Sequence, residues 1–275
     1  MAEAVQKADR QKARWSETFK ALSTFVSTVV IAIAGIMVTN RYNDRQLEIS
    51  RNTQLSALIP QLGDSSENVQ RFTAISLSLY GADAVPALVA TLDDSRRDVS
   101  FEAERALTLI GGDATPILLK TYNQAKTSSH LKAMCLYTLG DLHARQATSI
   151  AIDVIQNSSN NDELRENAAK ALGFLKDTNS AQCLVSVLLE NQNNVELSKE
   201  IILALGQIRD VRVTPELLGL VHNRNQDIRI SVVWMLAEIG DKNVLGTLED
   251  VMKSDSSVYV RFAARDAENW FKRYH

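Results

Sequence analysis

The chain has 275 residues, of which 45% are hydrophobic and only 6% aromatic, with 11 Gly and 4 Pro. Few turn-forming residues and a high aliphatic content favour helices joined by short polar loops. The formal net charge of −3 argues against nucleic acid as the main ligand, because phosphate binding needs a concentrated basic surface.

The beginning of the chain changes composition abruptly. Residues 1–20 are polar and charged, whereas residues 21–40, ALSTFVSTVVIAIAGIMVTN, carry no charge. As a helix the second segment would be about 30 Å long, which matches the hydrocarbon core of a bilayer. We therefore predict a charged N-terminal segment over 1–20 and a single transmembrane helix over 21–40. A cleaved signal peptide and a buried core helix are the alternatives, but no small-x-small cleavage site follows the apolar run.

The flanks of this span have the residues expected at a membrane interface. Trp15 and Tyr42 are placed as interfacial aromatic residues, and Lys20 and Arg41 as cations that reach the headgroups. The N-terminal flank has five Lys or Arg and the C-terminal flank three, so the positive-inside rule favours an extracytoplasmic location for the rest of the chain. A cytoplasmic location is the alternative. Small residues spaced four apart in the span would also allow a homo-oligomer to form through it.

The segment after the span connects it to the main domain. Residues 41–53, RYNDRQLEISRNT, are polar and contain no Gly or Pro. We expect this connector to continue the transmembrane helix for a few turns and to hold residues 54–275 away from the membrane.

Residues 54–275 repeat one pattern, which is clearest in Ile228–Gly240, IRISVVWMLAEIG. With Ile228 as position 0, apolar residues follow at positions 4, 8 and 11, which share one face of a helix. Six further copies begin at Val69, Val99, Leu131, Leu164, Leu197 and Val260. Position 8 is Leu in six copies, and small residues occupy position 9 in the same copies: Ser78, Thr108, Gly140, Gly173, Gly206 and Ala237.

A polar loop precedes each of these segments, and a second amphipathic segment precedes most of the loops. Ser, Asn and Asp at the ends of the loops are typical N-cap residues. Each copy is therefore predicted to be a helical hairpin, and neither of its helices can bury its apolar face alone. The predicted fold is all-α: an α-solenoid of about seven hairpins that follows a single transmembrane helix.

The copies resemble HEAT repeats, and most closely the short variety related to the bilin-lyase repeat. The resemblance rests on the endings Ala171-Leu172-Gly173-Phe174-Leu175 and Ala204-Leu205-Gly206-Gln207-Ile208 and on the opening Asp227-Ile228-Arg229. It implies a right-handed superhelix of stacked helix pairs whose second helices line a concave groove. Glu268 replaces the Leu of position 8 in the last copy, where we expect a terminal cap that faces water.

No catalytic or metal-binding pattern occurs in the sequence, and we predict a protein without enzymatic activity, cofactor or metal. The four His have no metal-ligand spacing, and there is no phosphate-binding glycine loop and no nucleophile motif. Cys135 and Cys183 lie in different copies and are interpreted as small apolar residues.

A partner-binding surface is predicted from two sets of side chains. Position 1 is basic in four copies: Lys132, Arg165, Arg229 and Arg261. These cations would form a stripe for an acidic partner or, alternatively, hydrogen-bonded ladders between neighbouring repeats. Ile230, Trp234 and Phe262 lie beside them and away from the core stripe, with Phe101 and Tyr137 at matching positions. Large apolar residues at such positions are typical interface anchors, although they could equally pack between adjacent helices.

The function predicted from these patterns is a membrane-anchored, non-catalytic scaffold that binds a protein partner on its concave helical surface. An enzyme or chaperone of the bilin-lyase kind is the first alternative. Binding of a bilin pigment on co-expression would distinguish it. Nucleic-acid binding is the second alternative, and it is disfavoured because residues 41–275 carry a net charge of −5.

Overall fold

The computed structural model describes residues 34–275, and the first unit of the chain ends at Ala57. Residues 34–58 form one continuous helix, α1, so the end of the predicted span and the polar connector belong to the same helix. Ile36, Met37 and Val38 are each more than 60% exposed on it. Most of the predicted span, residues 21–33, lies outside the described residues, as do Trp15 and Lys20. None of the helices from residue 34 onwards is long and apolar enough to cross a bilayer.

The second unit, Leu58–His275, alternates long and short helices. The long helices contain the repeated pattern: α2 (Glu67–Ser78), α4 (Arg97–Ile110), α6 (Ser129–Asp141), α8 (Asp162–Leu175), α10 (Val195–Ile208), α12 (Gln226–Ile239) and α14 (Val258–Tyr274). The short helices are α3 (Val85–Thr91), α5 (Thr115–Tyr122), α7 (Thr148–Gln156), α9 (Ala181–Glu190), α11 (Thr214–Leu218) and α13 (Leu245–Ser254). A 3-10 turn, Ile59–Gly63, replaces the short helix before α2.

Side-chain caps fix the starts of four consecutive long helices. Ser128, Asn161 and Asn194 each accept a hydrogen bond from the backbone N–H three residues on, at 2.9, 3.0 and 3.2 Å. Asn225 accepts from the N–H groups of Asp227 and Ile228. These bonds satisfy N–H groups that have no partner within the helix. The polar loops of the sequence therefore mark the helix starts correctly.

The helices form two layers with the core between them. Each short helix packs against the long helix that follows it, and the long helices pack against one another in chain order. The Leu residues at position 8 are fully buried between the layers. Since this array contains no strand within residues 34–275, the predicted all-α repeat fold is confirmed for that part of the chain.

Position 9 determines how closely two long helices approach. A Cβ atom added to Gly140 would lie 2.5 Å from Cα of Ala171, and one added to Gly173 would lie 2.9 Å from Cα of Ala204. The helix pairs α6–α8 and α8–α10 are therefore in backbone contact, which only Gly permits there. In the pair α4–α6 this position holds Thr108. These two helices pack against each other less extensively than any other two neighbouring long helices.

One expectation about the last repeat is wrong. Glu268 does not face water: its side chain is only 9% exposed, and its carboxylate accepts a hydrogen bond from Nζ of Lys272 at 2.6 Å. The charged, solvent-facing positions of α14 are other residues, among them Arg265 and Asp266.

Candidate functional site

The most strongly held of the predicted cations is Arg229, which is 8% exposed. Its Nε and Nη2 donate to the two carboxylate oxygens of Asp255 at 2.8 and 3.0 Å, and Nη1 donates to the carbonyl oxygen of Asn223. Burial by itself would raise the pKa of Asp255, but the hydrogen bonds from Arg229 and from the N–H of Ser257 outweigh it and lower the pKa. Arg229 thus connects α12 to the loop that precedes α14.

The other position 1 cations also bond within the array. Arg165 is 5% exposed and donates to the carbonyl oxygen of Ile155 and to Oδ1 of Asn191. Arg261 donates to two carbonyl oxygens of its own preceding loop, and the ammonium of Lys132 lies 5.8 Å from the ring centre of Tyr122. The guanidinium groups of Arg165 and Arg229 are therefore not available at the surface, and their geometry is that of the ladder interpretation.

The predicted apolar anchors differ in exposure. Ile230 and Trp234 are half-buried, whereas Phe262 is 50% exposed and has the guanidinium of Arg265 5.0 Å from its ring centre. On α1, Arg41 and Tyr42 are exposed, and their predicted place at a membrane interface stays a prediction. Partner binding by the three anchors stays a prediction.

The long helices share one outward face, formed by positions 2, 3, 6 and 10, which we call the long-helix face. A groove of about 290 Å³ lies on it and crosses α4, α6, α8 and α10. The side chains that line it include Phe101, Met134, Tyr137, Lys170, Phe174 and Leu203. Trp234 occupies the same position in α12 as Tyr137 does in α6, so the predicted anchor and the groove belong to one face.

A row of aromatic rings forms the floor of the groove. The rings of Phe101 and Tyr137 meet edge to face with centres 6.3 Å apart, and those of Tyr137 and Phe174 do so at 5.5 Å. This geometry is the favourable one for aromatic pairs. Charged side chains lie beside the aromatic row. The guanidinium of Arg97 lies 5.2 Å from the centre of the Phe101 ring, and Lys170 forms an ion pair with Glu200 at 3.5 Å.

Two carboxyl groups, those of Glu104 and Asp141, act on the hydroxyl of Tyr137, whose ring is the central one of the row. Glu104 is 8% exposed, and Oγ1 of Thr108 lies 3.0 Å from a carboxylate oxygen of Glu104 and 3.0 Å from one of Asp141. Burial raises the pKa of Glu104 to about 7; the bond from Thr108 opposes the rise and Asp141 adds to it. Burial also raises the pKa of the Tyr137 hydroxyl, and the charges of Glu104, Asp141 and Glu200 act in the same direction.

The sequence pattern predicts only part of the groove. It places Phe101 and Tyr137 beside the predicted anchors but does not indicate Phe174, Lys170 or the carboxyl pair. Position 10, which holds Phe174, lies off the core stripe just as position 6 does, and this was the available signal. Which of these side chains meet across repeats depends on the spacing between helices, which a single repeat does not show.

Neither of the two cysteines lines the groove. No cluster of three or more His, Cys, Asp or Glu there could hold a metal ion. Cys135 is buried, and burial raises the pKa of its thiol to about 12, so it is protonated at neutral pH. Cys183 is half-buried, and burial raises its pKa as well.

Comparison with known proteins supports the repeat assignment. Residues 187–267 match the family model described as HEAT repeats, so the resemblance predicted from the sequence is confirmed for that stretch. No curated protein sequence matches the chain.

Several solved structures are similar in fold. Human deoxyhypusine hydroxylase is 16% identical over 71% of this chain and 98% of that chain, with a TM-score of 0.35. The CpcE and CpcF complex of phycocyanin lyase from Nostoc sp. PCC7120 is 19% identical over 76% and 74%, with a TM-score of 0.40. An engineered protein is 17% identical over 79% and 68%, with a TM-score of 0.46. Similarities of this size carry no argument about activity or partners.

Proposed function

We propose that this protein is a non-catalytic scaffold, anchored to a membrane by residues 21–40, that holds a protein partner on its long-helix face. The observation that carries the proposal is the groove with the aromatic row Phe101, Tyr137 and Phe174. Aromatic side chains that remain open to solvent in a groove are the usual anchors of protein interfaces.

The size and composition of the groove favour a protein ligand. It is about 290 Å³, is shared by four helices and presents apolar rings next to the paired charges of Lys170 and Glu200. An apolar centre with a polar rim is the usual composition of a protein interface. The half-buried Trp234 extends the same face towards the C-terminus.

The proposed anchor rests on the uncharged run of residues 21–40 and on the exposed apolar side chains at the start of α1. Ile36, Met37 and Val38 lie next to one another on α1, and all three are largely exposed. Transfer of large apolar side chains from water to hydrocarbon is favourable by roughly 1.5–3 kcal/mol each, so insertion into lipid would remove an unfavourable exposure.

The partner-binding proposal can be tested by crosslinking at single positions. A photo-reactive amino acid replaces Leu203, which lines the groove and is 42% exposed, in the full-length protein expressed in its native membrane. The matched control replaces Leu189, which is 45% exposed on the short helix α9. We expect a specific protein to crosslink at Leu203 and not at Leu189, and mass spectrometry would identify it.

Two further variants decide whether the aromatic row makes the contact. Tyr137→Ala and Phe174→Ala should abolish the crosslink at position 203 while circular dichroism shows the helical content of the wild type. Equal crosslinking at positions 203 and 189, or crosslinking that survives both variants, would refute partner binding in the groove.

The anchor requires a separate test. The full-length protein should remain in the membrane pellet after alkaline carbonate extraction, and a variant that lacks residues 1–40 should move to the supernatant. Release of the full-length protein by carbonate would refute anchoring by residues 21–40.

A further inference from the structure

The Glu104–Thr108–Asp141 cluster joins two neighbouring repeats through a single hydroxyl group. Glu104 and Thr108 lie on α4, and Asp141 is the last residue of α6. Oγ1 of Thr108 is 3.0 Å from an oxygen of each carboxyl group. A hydroxyl has one hydrogen to donate, so it can bond only one of the two carboxylates at a time.

The geometry is satisfied if one of the two carboxyl groups holds a proton in addition to the hydrogen of the Thr108 hydroxyl. If both carboxyl groups were ionised, one of them would face the Thr108 oxygen without a hydrogen between them, next to a like charge. If one carboxyl group keeps its proton, it can donate to Oγ1 of Thr108 while the Thr108 hydroxyl donates to the other carboxylate, and both 3.0 Å contacts then contain a hydrogen. Glu104 is 8% exposed, so water cannot readily supply the missing bond. Its pKa of about 7 places the loss of that proton near neutral pH.

Few other charges act on Glu104. On α4 the charge that acts on it is that of Arg105, whose effect is smaller than those of burial, Thr108 and Asp141. Helix α6 adds the hydroxyl of Tyr137, on which Glu104, Asp141 and Glu200 of α10 all act. Of the other elements packed against α4, helix α3 and the Ile59–Gly63 turn have no titratable side chain. Two elements remain, α2 and the 3-10 turn after α4. Their titratable groups are the Glu67–Arg71 pair of α2 and Asp113 of the turn.

The cluster lies at the joint that has the least other contact. Helices α4 and α6 approach each other less closely than any other neighbouring long helices. The same two helices supply one wall of the groove, with Phe101 on α4 and Tyr137 on α6. Repulsion between two carboxylates would therefore act where little packing resists it, and it would displace side chains that line the groove.

We infer that Glu104 and Asp141 share one proton across the α4–α6 joint, and that loss of this proton widens the joint and thereby alters the groove. The protonated pair bonds the two repeats together and holds Phe101 and Tyr137 in contact. The doubly ionised pair repels. The consequence for partner binding rests on the function proposed above, whereas proton sharing and widening are properties of the chain alone.

The shared proton can be observed without a partner. Infrared difference spectra of the full-length protein in detergent, recorded between about pH 8 and about pH 5.5, should contain the carbonyl band of a buried protonated carboxyl group. The band should be missing in Glu104→Gln, because the amide replaces the titrating group. Glu166→Gln is the matched control. Glu166 is a half-buried glutamate of α8 whose pKa is raised mainly by burial, and its removal should leave the band unchanged.

Widening is measured by spin labels on the two helices. Labels at Leu109→Cys on α4 and Arg145→Cys after α6, both exposed, report the separation once Cys135 and Cys183 are replaced. The wild-type distance should be longer at about pH 8 than at about pH 5.5, and Glu104→Gln should show the short distance at both. Asp141→Asn provides a second test if Glu104→Gln does not fold.

The outcomes separate this inference from the proposed function. Absence of the band in the wild type, or a label distance independent of pH, would overturn the inference whatever the crosslinking experiment shows. A band that disappears in Glu104→Gln, together with a distance that changes with pH in the wild type only, would establish it even if no partner crosslinked at position 203.

Discussion

The two parts of the array are built from one repeat but packed differently. From α6 to α12 the long helices meet at Gly140, Gly173 and Gly206, and the first two contact the next helix through its backbone. From α2 to α6 the equivalent residues are Ser78 and Thr108, and the α4–α6 joint is the loosest. The joints with Gly at position 9 are therefore the closely packed ones, and the joint with Thr108 is the loosest.

The groove spans both kinds of joint. Its wall on α8 and α10 belongs to the closely packed part, whereas Phe101 and Tyr137 face each other across the loose joint. A binding surface with one fixed and one adjustable wall can change its width through few contacts. If the packing governs stability, substitutions in the closely packed part should cost more free energy of unfolding than matched substitutions in the loose part.

The largest effect is expected at the charged connection of the closely packed part. Arg229→Met leaves Asp255 with a buried charge that has lost its cationic partner and keeps only the N–H of Ser257, since the side chains of Arg229 and Asp255 are 10% and 7% exposed. Breaking such a pair from one side costs roughly 3–5 kcal/mol of the free energy of unfolding. Chemical denaturation would measure it.

The matched change in the other part is Gln70→Met. Gln70 occupies the same position in α2 and donates to the carbonyl oxygen of Asp64 at 2.7 Å and to Asp98 at 3.1 Å. Loss of these bonds should cost only about 1–2 kcal/mol, because no buried charge is abandoned. Equal losses at both sites would contradict a stronger C-terminal part.

A cavity should also be tolerated differently in the two parts. Leu172 and Leu107 are both fully buried at position 8. Substitution by Ala costs roughly 2–5 kcal/mol, depending on how far the surroundings close in. We expect Leu172→Ala near the upper end and Leu107→Ala near the lower end, measured by urea denaturation. Leu189→Ala, at an exposed residue, should be close to neutral. A larger loss at Leu107 would show that the α4 region does not adjust.

The sequence predicts the core and the helix starts well, because these depend on single repeats. The periodic Leu and Ile residues and the Asn caps need only the geometry of one helix. It predicts the groove less well. Glu104 and Asp141 are 37 positions apart at positions 5 and 10 of different repeats, and only the spacing of α4 and α6 brings them to one hydroxyl. Likewise, the burial of Arg165 follows from contacts with α7 and with the loop after α9.

The carboxyl pair predicts a pH dependence of stability. The pKa of Glu104 is raised in the folded state from 4.5 to about 7. The folded protein is therefore more stable at a pH where Glu104 is protonated than at high pH, where this group is ionised. Its contribution is complete below about pH 4.5 and is lost as the pH rises through 7, by roughly 3 kcal/mol in total.

The difference between the wild type and Glu104→Gln isolates this contribution. Denaturation midpoints of the wild type should fall relative to those of the variant between about pH 5 and about pH 8. The lowered pKa of Asp255 acts in the opposite direction and only in acid, where stability is lost as the pH falls below its ordinary value. Parallel pH profiles of wild type and variant would contradict a shared proton.

The substitution Gly140→Ala separates the effect of helix contact from that of helix propensity. Gly140→Ala places a Cβ atom 2.5 Å from Cα of Ala171, and a backbone atom cannot rotate away. Although Ala favours a helix by about 1 kcal/mol over Gly, we expect a net loss of roughly 1–3 kcal/mol as α6 and α8 are forced apart. The control is Gly246→Ala in α13, where nothing lies within 4 Å of the added atom and a small gain in thermal stability is expected. If both variants were stabilised, backbone contact at position 9 would not be what holds the C-terminal part together.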